Sequence, residues 1–75
     1  MNIKRVVGDN IRFIREKRGQ TQDDLAILAK MSKTFVGDIE RAQKAATIVS
    51  VAKLAKVLGV PPALLLTPNG YKSVE

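Results

Sequence analysis

The chain has 75 residues and a net charge of +6, enough for one domain and a balance that favours a polyanionic partner. It contains neither cysteine nor histidine, which excludes disulfides, cysteine-based zinc sites and the commonest general base. Neither a metal, a cofactor nor a small-molecule ligand is expected, and an enzyme is the least favoured reading. Residues 1–7 are interrupted by Lys4 and Arg5 and lack the apolar stretch of a signal peptide. The longest strictly apolar run, residues 25–29, is far too short to span a bilayer, and residues 63–66 are shorter still. No membrane association is expected, and the cytoplasm is the expected location. With Phe13, Phe35 and Tyr71 as the only aromatics, the core must come from Leu, Ile, Val and Ala.

Residues 3–18 carry Ile3, Val7, Ile11 and Ile14 at helical spacing, with charged residues, mostly basic, filling most of the rest. Lys17 and Arg18 suit the negative pole of a helix dipole, and Gly19 supplies a stop. A second helix opens at Thr21, an N-cap followed by Gln22, Asp23 and Asp24, and ends near Ala29. Leu25, Ala26, Leu28 and Ala29 are its expected buried side. A third opens at the N-cap Ser32, with Val36, Ile39 and Phe35 as its apolar face. Residues 42–46 lose direction and read as a loop. The fourth opens at Thr47, its apolar stripe Ile48, Val51, Leu54, Ala55 and Leu58, and ends at Gly59. A short fifth helix starts near Pro61 or Pro62, tolerated in a first turn, and carries residues 63–66. Residues 1–68 are expected to form the domain and residues 69–75 a tail. The pattern predicts an all-α, compact five-helix fold with no strand.

The informative stretch lies between Gln22 and Arg41. Two short helices are separated by only a few residues, and the second opens with short polar side chains. In a helix-turn-helix the first helix crosses the DNA backbone and the second enters the major groove. Close crossing asks for a small residue in the first helix, met by Ala26, and apolar anchors in the second, met by Val36 and Ile39.

Residues 10–26, with an Arg-rich helix, Gly19 and then Thr21–Gln22–Asp23–Asp24–Leu25–Ala26, resemble the opening of the Cro/repressor-type helix-turn-helix proteins, the XRE family. Residues 32–41 resemble that family's serine-capped recognition helix with its terminal Glu–Arg. Residues 54–60 resemble the next helix and its exit. The resemblance spans about residues 7–66 and implies a lambda-repressor-like domain whose helices 2 and 3 form the helix-turn-helix. The short chain and residues 33–41 look most like restriction–modification controller proteins, small dimers that bind paired operators and regulate their own gene and an endonuclease gene. Prophage-type repressors look nearly as similar. An antitoxin or co-regulator that uses the fold for protein contacts is the alternative from another class. The sequence departs from the family at Lys30, where the turn usually has glycine; a side chain at positive φ there costs roughly 1 kcal/mol or more.

On this reading the partner is a double-stranded DNA operator bound by a homodimer. Lys33 and Thr34 head the reading helix: Lys33 can donate to guanine O6 and N7, and Thr34 can meet a base or a phosphate. Gly37 either lets the backbone approach a base or relieves crowding. Asp38 either accepts from cytosine N4 or orients Lys33 or Arg41. Gln22, Ser32, Arg41 and Lys44 are the expected phosphate contacts, Gln22 with the free N–H groups of its helix. Arg15 and Glu40 resemble a structural ion pair of the family. Phe35 is expected mainly to pack. Phe13, Val60, Leu64 and Leu65 are the candidates for a dimer surface, with the edge of the core as Phe13's other reading.

Overall fold

Side-chain caps decide where the first four helices begin. In the computed structural model, which describes residues 1–75, α1 spans Ile3–Lys17 and is capped by Asn2, whose oxygen accepts from the Arg5 N–H at 3.2 Å. Helix α2 spans Gln22–Ala29. Thr21 and Asp24 close a reciprocal capping box on it, each side chain accepting from the other's backbone N–H at 3.0 Å. Helix α3 spans Lys33–Glu40 under the Ser32 hydroxyl, and α4 spans Ile48–Leu58 under that of Thr47. Helix α5 is a single turn, Pro62–Leu65, opened by prolines that need no N–H there. Gly59 ends α4 at φ +73°, a conformation without penalty only for glycine.

The apolar stripes of α1, α2, α3, α4 and α5 meet in one core. Ile11, Ile14, Leu25, Val36, Ile39, Leu54, Leu58 and Leu65 are its innermost large side chains. Each such burial contributes about 1.5–3 kcal/mol. Helix α3 is pinned to α1 at unusually short range. A Cβ built on Gly8 would lie 2.5 Å from the Ile39 carbonyl oxygen and 2.9 Å from that of Glu40. Only a residue without a side chain lets α1 pass there. No helix is long and apolar enough to cross a membrane.

Three expectations need correction. Residues 69–75 do not trail from the domain. Gly70–Ser73 form a 3-10 turn, Val74 is buried, and the Tyr71 ring stacks on Phe13 with centroids 4.5 Å apart. The cause is Asn10, buried on α1. Its Nδ2 is shared among the carbonyls of Leu64, Leu65 and Thr67 at 2.9–3.2 Å, and its Oδ1 accepts from the Tyr71 N–H at 2.9 Å. Lys17 donates to the Val74 carbonyl and Arg18 to that of Glu75 at 2.8 Å. The second correction is Leu28, expected inside α2 but exposed together with Ile27. The third is Ile48, at the edge of the α4 stripe, which is 90% exposed.

Candidate nucleic-acid interface

The turn between α2 and α3 is three residues, and its first, Lys30, sits at φ 56°, ψ 49°. The left-handed turn forms even without glycine. The N–H groups of Lys30 and Met31 close it onto Ile27 and Ala26, the latter at 2.9 Å. These bonds and the packing of Ala26, Val36 and Ile39 offset the strain. Two short helices are thereby held at a fixed crossing, with the N-terminus of α3 projecting.

That N-terminus is polar and uncompensated. Lys33 and Thr34 are both exposed, and no acidic residue occupies the first turn. The partial positive charge of the helix start adds to that of Lys33. Ser32 spends its hydroxyl as an acceptor for the Phe35 N–H, so a phosphate contact at Ser32 falls to the hydroxyl proton or the backbone. Phe35 is half-buried against the core, as expected.

Behind the reading helix lies a buried polar network. Arg15 grips Glu40 with two hydrogen bonds, Nε at 2.7 Å and Nη2 at 3.0 Å, and its Nη1 donates to the Gln20 carbonyl at 2.7 Å. The hydrogen bond that Arg15 donates to Glu40 raises the Arg15 pKa above its ordinary value, against burial, which pulls it down. Gln22 is part of the same cluster, its Nε2 donating to Glu40 Oε1 at 3.0 Å. The Glu40 carboxylate thus joins α1, the start of α2 and the end of α3. Gln22 heads α2 with its amide aimed by this bond. Beside it, hydrogen bonds from Thr21 hold the Asp24 carboxyl below the usual carboxylate range.

At the same C-terminal end of α3, Asp38 pairs with Arg41 at 2.9 Å and approaches Lys44 at 3.5 Å. Of the two readings left open for Asp38, the structure displays the intramolecular one, with Arg41 as the group oriented. At Gly37 the crowding relieved is with Arg41: the space a Cβ would fill holds its guanidinium, whose nitrogens would lie 2.9 and 3.2 Å from it. Arg5 was not singled out by the sequence, yet its Nη2 donates to the Arg41 carbonyl at 3.1 Å. Nothing in the periodicity of α1 marks that contact.

The dimer candidates divide. Leu65 is fully buried in the core, so it has no surface to offer a second copy. Phe13 is partly covered by Tyr71, and Val60 and Leu64 are half-buried against the core. The apolar surface that stands free lies elsewhere. Ile48 is joined by Val49 (63% exposed) and Leu66 beside a cleft lined by Ala46, Ala52 and Pro62.

A family model described as helix-turn-helix matches residues 11–65 of this architecture. The chain belongs to that family. Within it, the control protein C.SmaI of Serratia marcescens is 32% identical over 75 residues, covering all of this chain and 89% of the relative. Control protein C.BamHI of Bacillus amyloliquefaciens is 35% identical over 66 residues, 87% of this chain and 82% of the relative. Among solved structures, the restriction–modification controller protein C.AhdI from Aeromonas hydrophila superposes with a TM-score of 0.80 at 32% identity, over 83% of this chain and 94% of that one. The fold is therefore the expected five-helix, all-α domain, with α2 and α3 as the helix-turn-helix of a DNA-binding regulator of XRE type. No group of acidic side chains is placed to hold a metal ion.

Proposed function

We propose that the protein is a controller-type transcriptional regulator that binds a duplex DNA operator as a homodimer. The observation that carries this is the Arg15–Glu40–Gln22 network. It ties the C-terminal end of α3, whose exposed first turn carries Lys33 and Thr34, to α1 and to the N-terminus of α2, an arrangement suited to clamping a phosphate while a neighbouring helix enters the major groove. Lys33 and Thr34 read bases. Gln22, Ser32 and Lys44 meet phosphates and set the register. The controller relatives support the narrower assignment, regulation of an endonuclease gene together with the protein's own gene. The homodimer is supported by the free apolar face of Ile48, Val49, Ala52, Pro62 and Leu66, which takes the place of the candidates Phe13, Val60, Leu64 and Leu65. Two reading helices joined by a two-fold axis meet half-sites about 34 Å apart.

The test is a titration against the DNA upstream of the protein's own gene, with random competitor, at two salt concentrations. A complex that survives competitor supports the proposal; equal affinity for random DNA overturns it. Lys33→Ala should relax sequence preference by about 1–3 kcal/mol, whereas Lys44→Ala should weaken all sequences alike and flatten the salt slope. Unchanged preference in Lys33→Ala refutes the base-reading role.

A further inference from the structure

We propose that Arg41 is a base-reading residue, aimed at a guanine by Asp38 across the gap left by Gly37, rather than one more phosphate contact. The inference rests on the DNA-binding reading above and adds a specificity determinant to it.

Arg41 caps the C-terminal end of α3, and its guanidinium runs back along the helix, the direction helical side chains take. It lies over Gly37 and is held by Asp38 Oδ1 at 2.9 Å. Residues three and four apart share a helix face, so Gly37 continues the face of Lys33 and Thr34, and Arg41 continues that of Gly37. The guanidinium is thereby laid on the surface that carries the two proposed readers, opposite Val36 and Ile39 in the core. Alanine at position 37 would put a methyl carbon 2.9 Å from Nη1. The glycine is what makes room for this pose.

The chemistry of Asp38 separates the two roles. A carboxylate on a DNA-facing surface repels phosphate and weakens a cation beside it that binds phosphate by charge alone, a cost that falls here on Lys44, whose Nζ lies 3.5 Å from Asp38 Oδ2. Its presence is explained when it holds a planar fork in one orientation. Asp38 is only 14% exposed while the Arg41 side chain is 53% exposed, so the anchor is covered and the donor is not. Nε and Nη1 make no hydrogen bond within the protein. A guanidinium fixed through one nitrogen, with other N–H groups free, can present a fork to guanine O6 and N7. Lysine has the charge without the fork.

The experiment uses the full chain and the duplex it prefers, taken from its own upstream DNA or selected from a random library. Each guanine of a half-site is replaced in turn by 7-deazaguanine, which lacks the N7 acceptor. Affinities for operator and random duplex are measured for wild type, Arg41→Lys, Asp38→Asn and Gly37→Ala, each checked for folding by circular dichroism. One guanine should be found at which the replacement weakens wild type roughly 5- to 150-fold and weakens Arg41→Lys far less. Asp38→Asn and Gly37→Ala should lose discrimination at that same guanine, and Gly37→Ala should add little to Arg41→Lys. The proposal is overturned if no guanine is coupled to Arg41, or if Arg41→Lys leaves the operator-to-random ratio unchanged. A wild type with no preferred duplex removes the functional reading itself, a separate outcome that takes this proposal with it.

Discussion

Replacing Gly8 by alanine sets two opposing effects against each other. In mid-helix, alanine is favoured over glycine by about 0.8–1.0 kcal/mol, so an isolated α1 would become more helical. In the folded protein the added Cβ would stand 2.5 Å from the Ile39 carbonyl oxygen and 2.9 Å from that of Glu40. Those are backbone atoms of α3, so no side-chain rotation relieves the clash, and the helices must part by several tenths of an ångström. Overpacking of this kind costs roughly 1–3 kcal/mol, occasionally more. We take the upper end because the obstacle is backbone. The expected net loss is about 2 kcal/mol, and at about 4–8 °C per kcal/mol in a domain of this size the melting temperature should fall by roughly 8–16 °C. Gly37→Ala is the internal comparison: its Cβ meets only the end of the flexible Arg41 side chain, so helix propensity should win and stability should hold or rise. Thermal and urea unfolding followed by circular dichroism measure both. A Gly8→Ala protein as stable as wild type would refute the idea that α1 and α3 meet at backbone contact.

Other substitutions probe the remaining features. Glu40→Ala strands the Arg15 guanidinium, whose side chain is 11% exposed, and should cost about 3–5 kcal/mol in urea unfolding; a loss below about 1 kcal/mol would show that the network is not structural. Ile48→Asp should leave the monomer folded, since Ile48 is 90% exposed, yet abolish self-association in sedimentation. A dimer that survives it places the seam elsewhere. The capping box makes a pH prediction. Because the Thr21 N–H lowers the Asp24 pKa in the folded state, its contribution is present above the unfolded value of about 3.9 and is lost as pH falls through the lower folded value. Asp24→Asn should therefore be less stable than wild type at neutral pH and converge with it in acid; a stability gap that persists at low pH would contradict the linkage.

Local chemistry made much of this fold legible before any coordinates. Thr21, Ser32 and Thr47 announce helix starts because their hydroxyls satisfy N–H groups within three residues, and Gly59 announces a stop because only glycine is at ease at φ +73°. The errors share a different origin. Residues 25–29 of α2 are apolar throughout, so helical period alone cannot say that Leu25 turns inward and Leu28 outward. Ile48 fits the stripe of α4 but sits a turn beyond the reach of the core. The packed C-terminal segment depends on Asn10, 61 residues from the Tyr71 N–H it binds, and no local signal links them. At the site, Lys33 and Thr34 were readable as an exposed polar turn, whereas the placement of Arg41 over Gly37 needs a side-chain direction that spacing does not supply. Gly8 carries a weaker signal: a glycine inside a helical pattern costs about 1 kcal/mol relative to alanine, and its reason, backbone contact with α3, appears only in the packed structure.

The Glu40 carboxylate bonds to side chains from α1 and α2 at once, and this bears on the geometry of any bound operator. A reading head braced from two helices has no hinge of its own. In the proposed homodimer, tolerance for altered spacing between half-sites must then reside in the seam around Ile48 and Val49 and in the twist of the DNA. One inserted base pair rotates a half-site by about a tenth of a helical turn, and a head that cannot swivel passes that torque to the subunit contact and the intervening duplex. Spacing variants of the operator would thus act as a torsion gauge for the seam and the duplex together, reporting their combined stiffness without any change to the protein.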